Sequence, residues 1–306
     1  MKKMMKSNLT LRQLRAFAAV ADLGSFTGAA QRMHLTQSAL SVLVRELERE
    51  LGARLFDRHT RRVLLTEAGH ELLPYALRVL ADLEQAQTAV AGLRDKGRGR
   101  LRIAVPQLMA STLGARAIAA FHQLHPGVAI ELHDTPTDEL VAHVLSGEVE
   151  LAIGVEVPSN ADVCRTVLLR DRHWLVCPAA HALAQRAQVR WRDLQGVPFI
   201  SPTRDFVRWL EPLLAPRGLL PVPAHTVAYV STALGLVAAG LGVTLVPTYG
   251  GPLAHAWGLV LRPLVAPVFA RDVQIYSAPG RSLTPAAQAF VTVLTTLAGQ
   301  AKAAAG

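Results

Sequence analysis

The chain has 306 residues, and a hydrophobic fraction of 51% with a charged fraction of 18% excludes a wholly disordered protein. At about 100–200 residues per domain, this length predicts two or three domains. Two cysteines are too few for a disulfide scaffold. Because no apolar run follows the basic first residues, we expect no secretory signal and a cytoplasmic protein.

The net charge of +9 is concentrated at the start of the chain. Residues 1–66 hold 12 Lys and Arg against 5 Asp and Glu, whereas residues 67–100 hold 5 of each and residues 101–306 hold 15 against 13. A basic head on a nearly neutral body is typical of a polyanion-binding module joined to another domain. We therefore predict a head at 1–66, a linker helix at 67–96 and a second domain at 97–306.

The head is predicted to begin with two short helices. Apolar residues at helical spacing predict the first helix over residues 11–22, and Gly24 ends it. Ser25 is the expected N-cap of a second helix that runs through Met33.

A third helix is predicted over Gln37–Leu51, with Thr36 as its N-cap. The expected buried residues of this helix are Leu40, Val44, Leu47 and Leu51.

Two short helices with a tight connection predict a helix-turn-helix, in which the second helix enters the DNA major groove. Gln37 and Ser38 lie at the N-terminus of that helix, and Ser41 and Arg45 follow on the same face. These side chains suit base edges and phosphates. The alternative is a small solvated helical bundle.

Residues 54–66 read as strand, basic turn and strand, which predicts a wing after the third helix. Arg58, Arg61 and Arg62 would lie at its tip, where they suit the phosphate backbone or the minor groove.

A long helix is predicted over residues 67–93, which Pro74 would kink or restart. One heptad-like seam runs along it, formed by Leu73, Ala76, Leu80, Leu83, Gln87 and Val90. Such a seam is found in helices that pair with a second copy of the chain and also in helices that pack on their own domain, and both interpretations remain open. Residues 94–100 then form a flexible hinge.

The body is predicted to alternate strands and helices, which indicates two α/β lobes with open, mostly parallel sheets. The expected strands are 101–105, 128–133, 151–155, 163–170, 173–177, 199–201, 226–230, 243–246 and 271–277, and the expected helices are 109–122, 137–145, 206–214, 232–239 and 285–298. The first lobe would hold about 101–162 and 271–300, and the second about 170–265. Two crossovers would join them around a hinged cleft.

No charged residue occurs between Arg217 and Arg262. Because prolines and glycines interrupt this apolar stretch, we interpret it as buried strands and a helix rather than as a membrane span.

Many positions in register resemble the winged helix-turn-helix of LysR-type transcriptional regulators. They are residues 11–17, 24–27, 29–30, 35–41, 46–48, 51–52, 55–58 and 65–69. Gly28, Val42 and Leu43 depart from the residues common in that family.

The body is similar to the effector-binding domain of the same family at residues 101–106, 125–128, 145–154 and 236–243. The resemblance implies a multi-domain α+β and α/β chain: a winged helix-turn-helix, a linker helix and a two-lobed, periplasmic-binding-protein-like domain. It also implies a homodimer or homotetramer, paired through the linker helix at Leu73, Leu80, Leu83 and Val90. The DNA-binding residues would be Ser25, Thr36, Gln37, Ser38, Ser41, Arg45, Arg58, Arg61 and Arg62.

Ligands of open α/β sheets bind beyond the carboxyl ends of strands and at helix N-termini. By resemblance, those turns form the effector cleft, and its expected residues are Pro106, Gln107, Leu108, Met109, Thr135, Ser201, Arg204, Val246 and Pro247. One strong charge among apolar groups suits a small organic acid held by Arg204. The alternative is a neutral ligand with Arg204 in solvent.

No catalytic, metal-binding or dinucleotide-binding motif stands out, so we expect no enzyme and no cofactor other than a small-molecule effector. Cys164 and Cys177 fall in apolar strand patterns, which predicts inert thiols. The predicted function is a sequence-specific transcriptional regulator that binds promoter DNA and an effector. The alternatives are a solute-binding protein, or an α/β enzyme with an appended helical domain.

Overall fold

The computed structural model describes residues 8–59, 62–94, 99–157 and 161–304. It divides into two compact units, Met1–Gly99 with Ala142–Val149, and Arg100–Val141 with Glu150–Gly306. Each unit is treated separately below.

The head contains the predicted helices and wing. Its elements are α1 (Leu11–Leu23), α2 (Phe26–Arg32), α3 (Gln37–Leu51), β1 (Phe56–His59) and β2 (Arg62–Leu65). Helix α1 begins with a capping box between Thr10 and Gln13, and it ends at Gly24 in the left-handed conformation. β1 and β2 pair antiparallel from Phe56↔Leu65 to His59↔Arg62, as a wing requires.

An aromatic cluster forms the centre of the head. The ring of Phe56 lies 5.4 Å from that of Phe17 and 5.7 Å from that of Phe26. Leu40, Val44 and Leu47 are buried as predicted, but the prediction for Leu51 is wrong, because its side chain is 38% exposed. Leu51 is the last residue of α3, where Gly52 adopts the left-handed conformation and ends the helix.

The predicted linker helix is α4 (Glu67–Arg94), which continues through Pro74 instead of restarting there. Gly69 in its first turn lies against the Leu55 carbonyl, so closely that any Cβ would collide with it. Ala76 is buried in the head core, and Leu73 and Leu80 pack against that core. The first half of the heptad-like seam therefore packs on its own domain.

The body follows the predicted alternation. Its strands are β3 (Gly99–Val105), β4 (Val128–Asp134), β5 (Leu151–Val155), β6 (Cys164–Pro178), β7 (Val189–Arg190), β8 (Phe199–Ser201), β9 (Pro223–Thr226), β10 (Thr244–Pro247), β11 (Leu259–Val265) and β12 (Ala270–Ser277). Its helices are α5 (Gln107–Met109), a π-helical turn (Ala110–Gly114), α6 (Ala115–Leu124), α7 (Leu140–Ser146), α8 (Arg204–Leu214), α9 (Val230–Ala238), α10 (Gly251–Ala256) and α11 (Pro285–Ala304).

Strand β6 joins the two lobes. It pairs with β12 from Cys164 to Arg172, and from His173 it pairs with β10 and β11 instead. The two strands predicted at 163–170 and 173–177 are thus one continuous strand. Because β6 and β12 cross back between the lobes, their pairings are antiparallel, and the prediction of mostly parallel sheets is wrong. Parallel pairing remains between β3 and β5, β7 and β11, and β8 and β9.

Two further differences lie in the second lobe. The strand predicted at 226–230 ends at Thr226, and α9 already begins at Val230. The short strand β7, helix α10 and strand β11 were not predicted. The charge-free stretch is made of β9, α9, β10, α10 and part of β11. All of these elements except β9 contribute buried apolar residues to the core of this lobe, whereas β9 is mostly exposed, so the prediction of a buried strand there is wrong. No helix in the described residues is both long and apolar enough for a membrane crossing.

Candidate functional site

The N-terminus of α3 presents an exposed polar surface. Thr36 caps the helix by accepting a hydrogen bond from the Ala39 amide at 3.2 Å, and its hydroxyl lies 3.0 Å from that of Ser38. The Gln37 and Ser38 side chains are exposed, while Ser41 is half-buried. Arg45 is exposed one turn further along. The predicted polar residues of α3 therefore share an accessible surface.

Ser25 and the wing arginines complete the predicted set. Ser25 is the N-cap of α2, where its hydroxyl accepts from the Gly28 amide at 3.2 Å. Arg58 lies in β1 and Arg62 begins β2. Arg61 lies outside the described residues, as do the side chains of Arg58 and Arg62.

A carboxylate from α3 holds the start of the wing. Glu48 Oε1 accepts hydrogen bonds from the Leu55 amide at 2.9 Å and from the Phe56 amide at 3.4 Å. Thr66 donates its hydroxyl to the Arg54 carbonyl at 2.6 Å, which closes the base of the hairpin. These hydrogen bonds hold the base of the hairpin near the C-terminal end of α3.

The predicted cleft brings turns from both lobes together. Ser231, in the first turn of α9, donates to Gln107 Oε1 at 3.2 Å. Next to this pair, Gly250 faces Leu108 and Val246: a Cβ at Gly250 would lie 3.2 Å from a methyl carbon of Leu108 and 3.2 Å from Val246 Cβ. The turn after β3 and the turn after β10 therefore meet across the cleft.

Several other predicted cleft residues are buried. Thr135 donates its amide to the Val105 carbonyl at 3.2 Å, so it lies beside the end of β3. Ser201 is fully buried and donates to the Thr203 carbonyl at 3.0 Å. Met109 and Pro247 are also buried, whereas Pro106 and Gln107 are half-buried. Arg204 begins α8, but its side chain lies outside the described residues.

A buried carboxylate lies at the point where β6 passes between lobes. Asp171 Oδ1 accepts from the Thr248 amide at 3.2 Å and from the Arg172 amide at 2.7 Å. Burial raises the pKa of Asp171, and these hydrogen bonds partly oppose the rise. The Trp174 indole donates to the Thr248 hydroxyl at 3.0 Å, so Thr248 is held from two sides.

His173, two positions after Asp171 on the same strand, packs against two aromatic rings. Its ring centre is 5.0 Å from that of Phe206 and 5.1 Å from that of Trp209. The guanidinium of Arg271 lies over the Trp209 ring, at 5.0 Å from the centroid. Burial, with a smaller effect of the Arg271 charge, lowers the pKa of His173 to about 3, so the imidazole is neutral.

The two cysteines do not form a disulfide. Cys177 is buried, and burial raises the pKa of its thiol. Cys164 is exposed, which corrects the expectation that both thiols lie in an apolar environment. Because they lie near opposite ends of β6, about 40 Å of extended chain separates them, far beyond the reach of a disulfide.

Two family models together match most of the chain. One, described as "Bacterial regulatory helix-turn-helix protein, lysR family", matches residues 11–70, and the other, described as "LysR substrate binding domain", matches residues 94–299. The chain belongs to the LysR family of transcriptional regulators. This LysR-type regulator has an N-terminal helix-turn-helix DNA-binding domain and a C-terminal two-lobed effector-binding domain.

Relatives cover nearly the whole LysR-type regulator. It is 32% identical over 297 residues to the uncharacterised HTH-type transcriptional regulator YfeR of Shigella flexneri, with 94% of each chain covered. A full-length OxyR variant from Pseudomonas aeruginosa is similar in structure, with a TM-score of 0.71, 26% identity and 95% of each chain covered. CbnR in complex with its target DNA has a TM-score of 0.69 at 22% identity, over 94% of this chain and 100% of that one, and shows the shared fold.

Sequence reasoning missed three polar residues near the cleft: Asp171, His173 and Ser231. Asp171 falls in the gap between the strands predicted at 163–170 and 173–177, and His173 begins the second of these, but one strand runs through both residues. Ser231 was overlooked because the segment was predicted to extend a strand as far as Val230. A helix begun at Val230 would have placed the Ser231 hydroxyl and amide in its first turn.

Proposed function

We propose that this LysR-type regulator reads promoter DNA with the N-terminal half of α3 and contacts the flanking backbone with the wing. The observation that carries this is the exposed, polar N-terminus of α3, with Gln37 and Ser38 beyond the Thr36 cap. Gln can pair with adenine through two hydrogen bonds, and arginines of the wing suit phosphates. Ser25, Ser41 and Arg45 complete the contact set, together with Arg58, Arg61 and Arg62.

Gln37→Ala tests the base contact. We expect the variant to lose about 1–3 kcal/mol of discrimination at one base position in a randomised-site selection. Arg62→Ala should instead weaken binding to all sequences and reduce its salt dependence. An unchanged sequence preference for Gln37→Ala would show that α3 is not the reading element.

The proposed domains are a DNA-binding head at 1–66, a linker helix at 67–96 and an effector-binding domain at 97–306. We propose a homodimer or homotetramer in which α4 pairs with a second copy, so that two reading helices meet two half-sites. Leu73 and Leu80 already pack on the head, which leaves Leu83 as the predicted seam residue beyond it, and the side chain of Val90 lies outside the described residues. No catalytic step is proposed, because the matched families are regulatory.

The effector is proposed to be a small organic acid bound between the lobes. The hydrogen bond between Gln107 and Ser231 supports this position, because it places polar groups next to the apolar side chains of Leu108 and Val246. Ligand sites commonly combine a few polar groups with an apolar wall. The carboxylate would lie against Arg204 and the N-terminal amides of α8 or α9. Effector binding would favour one of two arrangements of the lobes. This shift would change the distance between the two DNA-binding heads on the promoter.

A thermal-shift screen tests the effector. An acid present at 100 times its Kd should stabilise the protein by about 2.7 kcal/mol, and Arg204→Ala should remove most of that gain. Arg208→Ala is the matched control, since it deletes the same charge one turn further along α8. Equal stabilisation of both variants would remove Arg204 from the site, and success of neutral compounds alone would contradict the acid.

A further inference from the structure

An apolar residue lies in the middle of the exposed face of α3. Val42 is 42% exposed, and it is absent from the core that buries Leu40, Val44 and Leu47. At about 100° per residue, Val42 points about 170° away from the mean direction of those three side chains. The helix proposed to read DNA therefore carries a hydrophobic side chain on the face opposite to its own core.

Polar residues surround Val42 on this face. Ser38 lies one turn before it, and Arg45 and Arg49 lie on the following two turns, all within about 60° around the helix axis. If the second helix enters the major groove, the centre of this face meets the base edges while the arginines can reach phosphates. Val42 is thus placed for base contact, but it has no hydrogen-bonding group with which to read a base.

Only one base presents an apolar group in the major groove. Guanine, cytosine and adenine offer hydrogen-bond donors and acceptors there, whereas thymine adds its C5-methyl group. A valine against a polar base edge would bury that edge without a partner, which is unfavourable. We propose that Val42 contacts a thymine methyl in each half-site and so specifies thymine at that position.

This inference rests on the proposed role of α3 as the reading helix, and the test separates the two. The preferred site is first selected from random DNA with the full-length protein. Each thymine of a half-site is then replaced by deoxyuridine, which removes only the methyl group, and Kd is measured by fluorescence anisotropy at fixed salt.

Wild type should bind about fourfold more weakly when one particular thymine of one half-site is replaced, the change expected from about 0.8 kcal/mol for one methyl-sized group. Val42→Ala should bind thymine and uracil at that position equally. Val268→Ala is the matched control, because it makes the same change at a residue of 49% exposure in the other compact unit, and it should keep the wild-type response.

Two results would overturn the inference. One is a response to deoxyuridine that is the same in Val42→Ala and in wild type at every thymine, and the other is a selected half-site without thymine. If Gln37→Ala still relaxes the sequence preference, only the role of Val42 falls. If no sequence is preferred by wild type, the role of α3 falls with it.

Discussion

His173 should make the effector-binding domain sensitive to acid. The ring packs against both Phe206 and Trp209, and its pKa is lowered to about 3 from an ordinary 6.5. Between about pH 3 and pH 6.5, His173 is protonated in the unfolded chain but neutral in the folded chain. The free energy of unfolding therefore falls as the pH decreases through this range. The stabilisation is complete above pH 6.5 and is lost between there and about pH 3.

The size of the effect follows from the shift. At about 1.36 kcal/mol per pKa unit, lowering the pH from 7.5 to 5 should cost about 2 kcal/mol through this one group, and the whole window is worth about 5 kcal/mol. His173→Phe should remove that part of the pH dependence. It should also keep or raise the stability at pH 7.5, because the buried Nδ1 has no hydrogen-bond partner among the described residues.

Urea unfolding followed by tryptophan fluorescence is the assay. All four tryptophans, at positions 174, 191, 209 and 257, belong to the body, so the signal reports on that unit. Wild type and His173→Phe are compared at pH 5 and pH 7.5, with His255→Phe as a control at an exposed ring. The reasoning is refuted if wild type and His173→Phe lose the same stability between the two pH values.

Three further changes probe the head and the linker. Gly69→Ala places a Cβ against the Leu55 carbonyl, and it should cost the head about 1–3 kcal/mol by overpacking, measured by thermal unfolding; an unaffected midpoint would contradict the close approach. Thr36→Ala removes the N-cap of α3 and should cost about 1 kcal/mol, whereas a neutral result would mean that another group caps the helix. Leu83→Asp should disrupt the proposed dimer without touching the head core, and an unchanged mass in light scattering would reject this seam.

N-cap residues and the helical spacing of apolar residues predicted the helices of the head and most of their boundaries. Ser25 and Thr36 were predicted as N-caps from their residue type, and both hydroxyls accept the expected backbone hydrogen bonds. Leu51 was misjudged because helical periodicity describes directions around an axis, but not where the neighbouring elements stop. The seam of α4 shows the same limit, since its spacing could not distinguish packing on the head from packing on a second copy.

The body was harder to predict because long-range pairing decides its details. Asp171 and Arg172 fall between the strands predicted at 163–170 and 173–177, yet β6 continues through them, and Asp171 accepts a hydrogen bond from the Thr248 amide in the turn after β10. Val230 has the β-branched side chain of a strand residue, but it begins α9 instead. The cleft turns were predicted from strand order, while the bond between Gln107 and Ser231 depends on how two lobes close, which no local pattern records.

The pairing of β12 with β5 and with the first half of β6 also means that the first lobe cannot be obtained by one cut of the chain. A cut between Arg172 and His173 would leave β5 and the first half of β6 without β12 in one fragment, and β12 without both of these partners in the other, although β10 and β11 would keep the second half of β6. Exposed strand edges of this kind recruit other chains and aggregate. Attempts to express a minimal ligand-sensing fragment, or to exchange one lobe between relatives, should therefore keep β6 and all its partners together and place their junctions in surface loops.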